Sequence, residues 1–263
     1  MSQLLAGKTA LILGVANKWS IAYAIAQAFT REGAELILTY QGDRQKQTVE
    51  ELASSLNARQ LFPCDVSQDD QLAALTSEVK ASGAVLSAVV HSIAFANRED
   101  LSRPFVETSR EGFKLAHDVS AYSLVAVARA AVPIMAPKDQ GGGSLMTLSF
   151  LGSQRVVQNY NVMGVAKAAL ESTVRYLASD LGPSNIRVNA ISAGPVKTTS
   201  ARGIRDFSKM LDGVAAISPL RRMTDPAEVA DTAVFLASDL GRGVTGNVIY
   251  VDAGFQIMAL AAM

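Results

Sequence analysis

Short, uniformly apolar runs alternate along the chain with longer stretches in which apolar residues recur every three or four positions. The run Lys8 to Leu13 ends at Gly14. After Val15-Ala16-Asn17-Lys18-Trp19-Ser20, the positions Ile21, Ala24, Ile25, Ala28 and Phe29 carry helical spacing. A second strand is expected at Glu35–Tyr40 with a helix from about Arg44 to Ser55, then a third strand from Arg59 to Cys64 and a helix from Gln68 to Lys80. The fourth strand, Leu86 to His91, leads through a polar connection, Asn97 to Arg103, to one long helix from about Ser109 to Ala136, bent at Pro133. Gly141-Gly142-Gly143 is a turn before the fifth strand, Ser144 to Ser149, and a helix begins near Tyr160 and continues through Ala168, Leu170, Val174 and Leu177. A sixth strand from Arg187 to Ser192, an irregular segment, a helix from Pro226 to Ser238 and a strand from Asn247 to Val251 complete the pattern. Strands separated by helices require right-handed crossovers, which give a parallel sheet covered on both faces. With no linker, repeat or low-complexity segment, one α/β domain over residues 1–263 is the economical reading.

In such a sheet, ligands lie beyond the carboxyl ends of the strands, where the chain order reverses. There the sequence has Gly14, Gln41, Asp65-Val66, Ser92-Ile93-Ala94, Ser149-Phe150 and Ala193-Gly194-Pro195-Val196-Lys197-Thr198. Each alone marks a turn or a helix cap. Six at one edge point to a dinucleotide. Gly14 would let the backbone approach a pyrophosphate, and Ser20 would cap the first helix or bind phosphate, although the usual three-glycine fingerprint is absent. Asp65 would accept from the adenine amino group, with Ile93 and Val196 packing around the nicotinamide end.

Tyr160 and Lys167 stand seven positions apart, nearly two helical turns, and so share a face. A phenol beside an ammonium can donate a hydrogen bond to a developing oxyanion. The alternative is an ordinary amphipathic helix with Lys167 in solvent.

Composition narrows the function. At 263 residues, with 49% hydrophobic and 18% charged residues, the chain has ample core material, and its zero formal net charge argues against a nucleic-acid binder. The longest apolar candidate, Val119 to Ala136, is broken by Arg129 and Pro133, so no membrane span is expected, and the amino terminus shows no secretory signal. Cys64, the sole cysteine, suits a buried position in a protein of a reducing compartment, here the cytoplasm. His91 and His117 lack partners at ligand spacing, so no metal is expected. The apolar carboxyl-terminal stretch Phe255 to Met263 suits a subunit contact.

The loop Gly14-Val15-Ala16-Asn17-Lys18 with Ser20-Ile21-Ala22, and the blocks Asn159-Tyr160-Asn161-Val162-Met163-Gly164-Val165-Ala166-Lys167 and Ile186-Arg187-Val188-Asn189-Ala190-Ile191-Ser192-Ala193-Gly194-Pro195, resemble the NADH-dependent enoyl-acyl-carrier-protein reductases. These are divergent short-chain dehydrogenase/reductases. The similarity extends to Tyr250-Val251-Asp252-Ala253-Gly254, and its specific part is the six residues between tyrosine and lysine, where ordinary members have three. The resemblance implies a Rossmann-like, doubly wound parallel sheet of about seven strands, a homotetramer, and NADH-dependent reduction of a trans-2-enoyl thioester carried by acyl carrier protein in fatty acid elongation. It assigns Tyr160 to the enolate oxygen and Lys167 to the nicotinamide ribose. Cofactor contacts carry over to Gly14, Ser20, Ile21, Gln41, Asp65, Val66, Ile93, Lys167, Val196, Lys197, Thr198, Thr199 and Ser200, and substrate contact to the Ala96 backbone. Phe95, Leu101, Met163, Ile204 and Phe207 are candidates for the acyl pocket. A mobile substrate-binding lid is expected at about 197–211, with Arg202, Arg205 and Lys209 facing the acidic carrier.

One departure stands out: the family's second tyrosine, ten positions before the first, is Phe150 here, which keeps a ring and loses the hydroxyl. Either the ring alone suffices, or the enzyme is slow, altered in substrate, or reduced to dinucleotide binding. A carbonyl reductase on the same fold would want a tyrosine four before the lysine and a serine about thirteen before that tyrosine, and those places hold Met163 and Phe150. Gln41-Gly42-Asp43 offers no cation for a 2′-phosphate and so favours NADH, with Arg44 and Lys46 nearby as competing cations.

Overall fold

In the computed structural model, which describes residues 3–198 and 207–259, seven strands form one parallel sheet: β1 (Thr9–Leu13), β2 (Glu35–Tyr40), β3 (Gln60–Pro63), β4 (Leu86–His91), β5 (Gly143–Ser149), β6 (Ile186–Ala193) and β7 (Val248–Val251). Their order is β3-β2-β1-β4-β5-β6-β7. Side chains of β1 alternate between two cores, as the period of a strand requires. Leu11 and Leu13 join one core with α3 (Asp69–Ala81), α6 (Ser123–Ala131) and α7 (Asn161–Leu181). Ala10 and Ile12 join the other with α1 (Ile21–Arg31), α2 (Asp43–Ser55) and α9 (Pro226–Ala237). The doubly covered parallel sheet read from the alternating pattern is therefore present, with element ends displaced by a residue or two. Among the described residues no helix is long and apolar enough to cross a membrane.

Three expectations need correction. The single helix expected from Ser109 to Ala136 is four pieces: α5 (Arg110–His117), a π turn (Asp118–Tyr122), α6, and a 3-10 turn (Val132–Ile134) containing Pro133. The π turn adds one residue without interrupting the apolar pattern, so periodicity does not register it. The polar connection contains a short helix, α4 (Arg98–Ser102), and the irregular segment contains α8 (Phe207–Ile217).

The chain order reverses between β1 and β4, where Leu13 pairs with His91. Gly14 follows with φ +97°, and a Cβ there would overlap the Ser92 carbonyl. The close approach that requires glycine is thus first of all between the two central strands. His91 is fully buried, its Nδ1 2.9 Å from Thr147 Oγ1 and its Nε2 2.8 Å from Ser123 Oγ. Because Ser123 gives its proton to Val119 O, at 2.7 Å, Nε2–H must donate to Ser123 and Nδ1 must accept from Thr147. Burial, and then the charge of Lys167, push the imidazole pKa down to about 3, so the ring is a neutral tie between β4, β5 and α6.

Candidate active site

Tyr160 precedes α7 as its N-cap, with φ −103° and ψ −28°. Both neighbours are left-handed: Asn159 has φ +61° and Asn161 φ +36°. Asparagine tolerates this region better than other side chains bearing a Cβ. Asn161 Nδ2 also donates to Arg103 O at 2.6 Å, tying the head of α7 to the segment after α4. The Tyr160 ring lies against Gly152, where a Cβ would come 2.5 Å from Cδ1 and 2.8 Å from Cε1. A Cβ on Gly164 would in turn sit 2.7 Å from Gly152 O. Phe150 meets the same ring edge to face, with centroids 5.0 Å apart. Two glycines and an aromatic edge thus set where the phenol stands. Burial raises its pKa above the ordinary tyrosine value, which keeps it a neutral hydroxyl donor.

Lys167 is buried at 5% exposure, contrary to the solvated alternative, and its Nζ donates to Leu148 O at 2.8 Å. Burial lowers its pKa to about 8, while the Glu171 carboxylate one turn later opposes the drop. Glu171 is missing from the sequence reading. The signal was a glutamate four positions after a catalytic-type lysine on one helix face. Its Oε1 accepts from Ser149 Oγ and Ser153 Oγ, both at 2.6 Å, so the Ser149 hydroxyl is turned toward α7.

At the far end of the edge, Gln41 Nε2 donates to Asp65 Oδ2 at 3.1 Å, while Asp65 Oδ1 accepts from Ser67 N at 3.0 Å and Ser67 Oγ at 2.8 Å. Burial works to raise the Asp65 pKa, but these hydrogen bonds outweigh it and hold the carboxyl below its usual value. Ser20 acts as the cap of α1, accepting from Tyr23 N at 3.2 Å and donating to Asn17 O at 2.8 Å. Ile21 opens that helix. Val66 and Val196 are buried, Ile93 packs partly buried against the core, Lys197 is exposed, and Thr198 N donates to Val196 O at 2.8 Å. Thr199, Ser200, Arg202, Ile204 and Arg205 lie outside the described residues, as do the side chains of Phe207 and Lys209.

The segment after β4 is clamped by the π turn: Phe95 N donates to Ser120 Oγ at 2.9 Å, and Ser120 Oγ donates to Phe95 O at 3.0 Å. This fixes the backbone that continues into Ala96 and leaves the Phe95 ring 51% exposed. Met163 is buried, Leu101 partly so. Cys64 is buried with its thiol pKa pushed up to about 12, first by burial and then by Asp65, which makes it inert packing.

The donor and acceptor set fits a dinucleotide. An ionised acceptor pairs with an amide at the β2–β3 end. A helix N-terminus lies beyond β1. Near β5 a buried ammonium, for which one hydrogen bond is described, has donors to offer a hydroxylated ligand.

Residues 14–256 match the family described as "Enoyl-(Acyl carrier protein) reductase". An enoyl-[acyl-carrier-protein] reductase [NADH] FabI of Bacillus cereus is 52% identical over 258 residues, covering 97% of this chain and 99% of that protein. An enoyl-[acyl-carrier-protein] reductase [NADPH] FabI of Staphylococcus aureus is 48% identical, covering 96% and 98%. The crystal structure of the Bacillus cereus enoyl-acyl carrier protein reductase with NADP+ and indole naphthyridinone superimposes with a TM-score of 0.94 over 98% of this chain and 100% of that one, at 52% identity.

Proposed function

Because the chain belongs to the enoyl-(acyl carrier protein) reductase family, we propose that it reduces the carbon–carbon double bond of a trans-2-enoyl thioester with NADH, Tyr160 stabilising the enolate. The carrying observation is the phenol held by Gly152, Gly164 and Phe150 at the head of the helix whose next two turns bury Lys167.

A nicotinamide cofactor held along the strand ends would supply hydride for the β carbon. As charge moves onto the thioester oxygen, the Tyr160 hydroxyl donates a hydrogen bond to it, a contact whose loss typically costs about 10²–10³ in rate. A neutral phenol suits this task, because an ionised one would repel the oxyanion. A proton taken up from water at the α carbon completes the saturation. Lys167 would hold the nicotinamide ribose hydroxyls and add positive field beside the phenol. Asp65 would accept from the adenine amino group, and Gly14, Ser20, Ile21 and the residues from Val196 to Ser200 would hold the phosphates and nicotinamide. Ala96 offers its backbone to the substrate.

The same residues disfavour ketone reduction. Met163 and Phe150 stand where a carbonyl reductase needs its tyrosine and serine, and Ser149 is committed to Glu171. The segment at about 197–211 is read as the substrate-covering part, from its Ile204, Phe207 and Met210 spacing, with Arg202, Arg205 and Lys209 meeting acyl carrier protein. A homotetramer is supported by exposed Phe113 and Tyr122 on the helices before β5 and by exposed Val165 and Tyr176 on α7. A buried thiol in an enzyme of fatty acid elongation fits the cytoplasm.

The test is NADH consumption with crotonyl and acetoacetyl thioesters side by side. Turnover of the first alone is expected, and turnover of only the second would overturn the reading.

A further inference from the structure

Ser149 and Ser153 bracket Phe150-Leu151-Gly152, the wall that touches the Tyr160 ring. Both serine hydroxyls donate to the same oxygen of Glu171, each at 2.6 Å, while Lys167 donates to Leu148 O at 2.8 Å. Two side chains one turn apart on α7 therefore staple residues 148, 149 and 153 to the helix that begins at Tyr160. Glu171 is only 5% exposed. The two serine hydroxyls supply the polar contacts that burial takes from water.

We propose that Glu171 is a positioning residue: its carboxylate fixes the Phe150–Gly152 wall against Tyr160 and, one turn after Lys167 on α7, is the negative partner of that side chain. The inference rests on the roles given above to Tyr160 and Lys167.

The groups around the pair leave Glu171 as the charge that matters. Tyr160 on α7 is neutral and His91 from β4 is neutral. From β7, Tyr250 turns a buried hydroxyl with no hydrogen-bond partner among the described residues, and its pKa is raised by burial, then by Glu171 and Asp252, so it too is neutral. Asp252 accepts from Gly254 N at 3.0 Å and Gln256 N at 2.8 Å, and Arg155, after β5, is exposed. Burial drives Lys167 toward its neutral form, and Glu171 is the carboxylate that resists it.

Glutamine at this position separates shape from charge, since its amide oxygen can still accept from both serines. In Glu171→Gln, kcat near pH 6.5 should stay within about threefold of the parent while the alkaline limb of the pH profile moves down by roughly one unit. NMR titration of the Lys167 side chain, without cofactor or substrate, should show the same downward move. Ser149→Ala/Ser153→Ala should lower kcat about tenfold or more with the limb in place, which reads the geometric arm even if Glu171→Ala fails to fold. An unmoved Lys167 titration in Glu171→Gln overturns the charge role, and parental kcat in the double serine variant overturns the wall role. Neither readout depends on which thioester is reduced best, and the lysine titration needs no turnover, so failure of the enoyl reductase reading is distinguishable.

Discussion

The rings of Phe150 and Tyr160 meet edge to face, with centroids 5.0 Å apart and planes at 67°. Phe150 thus acts on the phenol through packing, a geometry that typically contributes about 0.5–1.5 kcal/mol beyond buried area. Adding a hydroxyl in Phe150→Tyr should change kcat by less than about tenfold, because the enolate already has its donor in Tyr160. A gain of several orders of magnitude would show that the native site is crippled. Tyr160→Phe should instead lower kcat by about 10²–10³ with NADH affinity nearly unchanged, and unaltered turnover would remove Tyr160 from the chemistry.

Gly152 lies under the same ring, and its missing side chain is what the ring occupies. Gly152→Ala must push Tyr160 aside, since the added carbon would stand 2.5 Å from Cδ1. The expected outcome is a kcat loss of about 10²-fold, as for a misplacement on the order of 1 Å, with the cooperative thermal transition retained. Parental kcat in a folded Gly152→Ala protein would mean the phenol's placement is not critical.

His91 sets an acid limit on stability. Its pKa in the fold, about 3, lies below the ordinary value of 6.5. Across that window the unfolded chain binds the extra proton, so stability rises with pH between 3 and 6.5 and falls on acidification. At pH 4 the deficit from this one group is about 3 kcal/mol. His91→Asn, whose amide oxygen can accept from Thr147 at the Nδ1 position and which has no group that titrates in this range, should show a smaller drop in urea midpoint from pH 6.5 to pH 4 than the parent. Parallel midpoints would place the acid sensitivity elsewhere.

Cofactor choice turns on the β2–α2 corner. Gly42 caps α2, Asp43 occupies its first turn, and Gln41 is engaged with Asp65, which leaves a carboxylate where a 2′-phosphate would need a cation. Lys46 is 3.9 Å from Glu50, a partner on its own helix. NADH should therefore exceed NADPH in kcat/KM, and Asp43→Ser should narrow the gap. A ratio near unity in the parent enzyme would contradict this preference.

The sequence by itself determined the strand and helix alternation, the parallel doubly covered sheet, the residues gathered at the strand ends, and the helix that begins beside Tyr160 and carries Lys167. All of these are local periodicities, which side-chain polarity writes directly into the chain. Only the tertiary structure decided that Gly14 is demanded by the Ser92 carbonyl, that a π turn inside an unbroken apolar pattern delivers Ser120 and Ser123, and that Ser20 caps a helix. The same holds for Glu171 and its two serines, and for Gly152 beneath the phenol. Each depends on a partner distant in sequence or on an insertion that leaves the period intact, and the physical requirement exists only once packing has brought the two together.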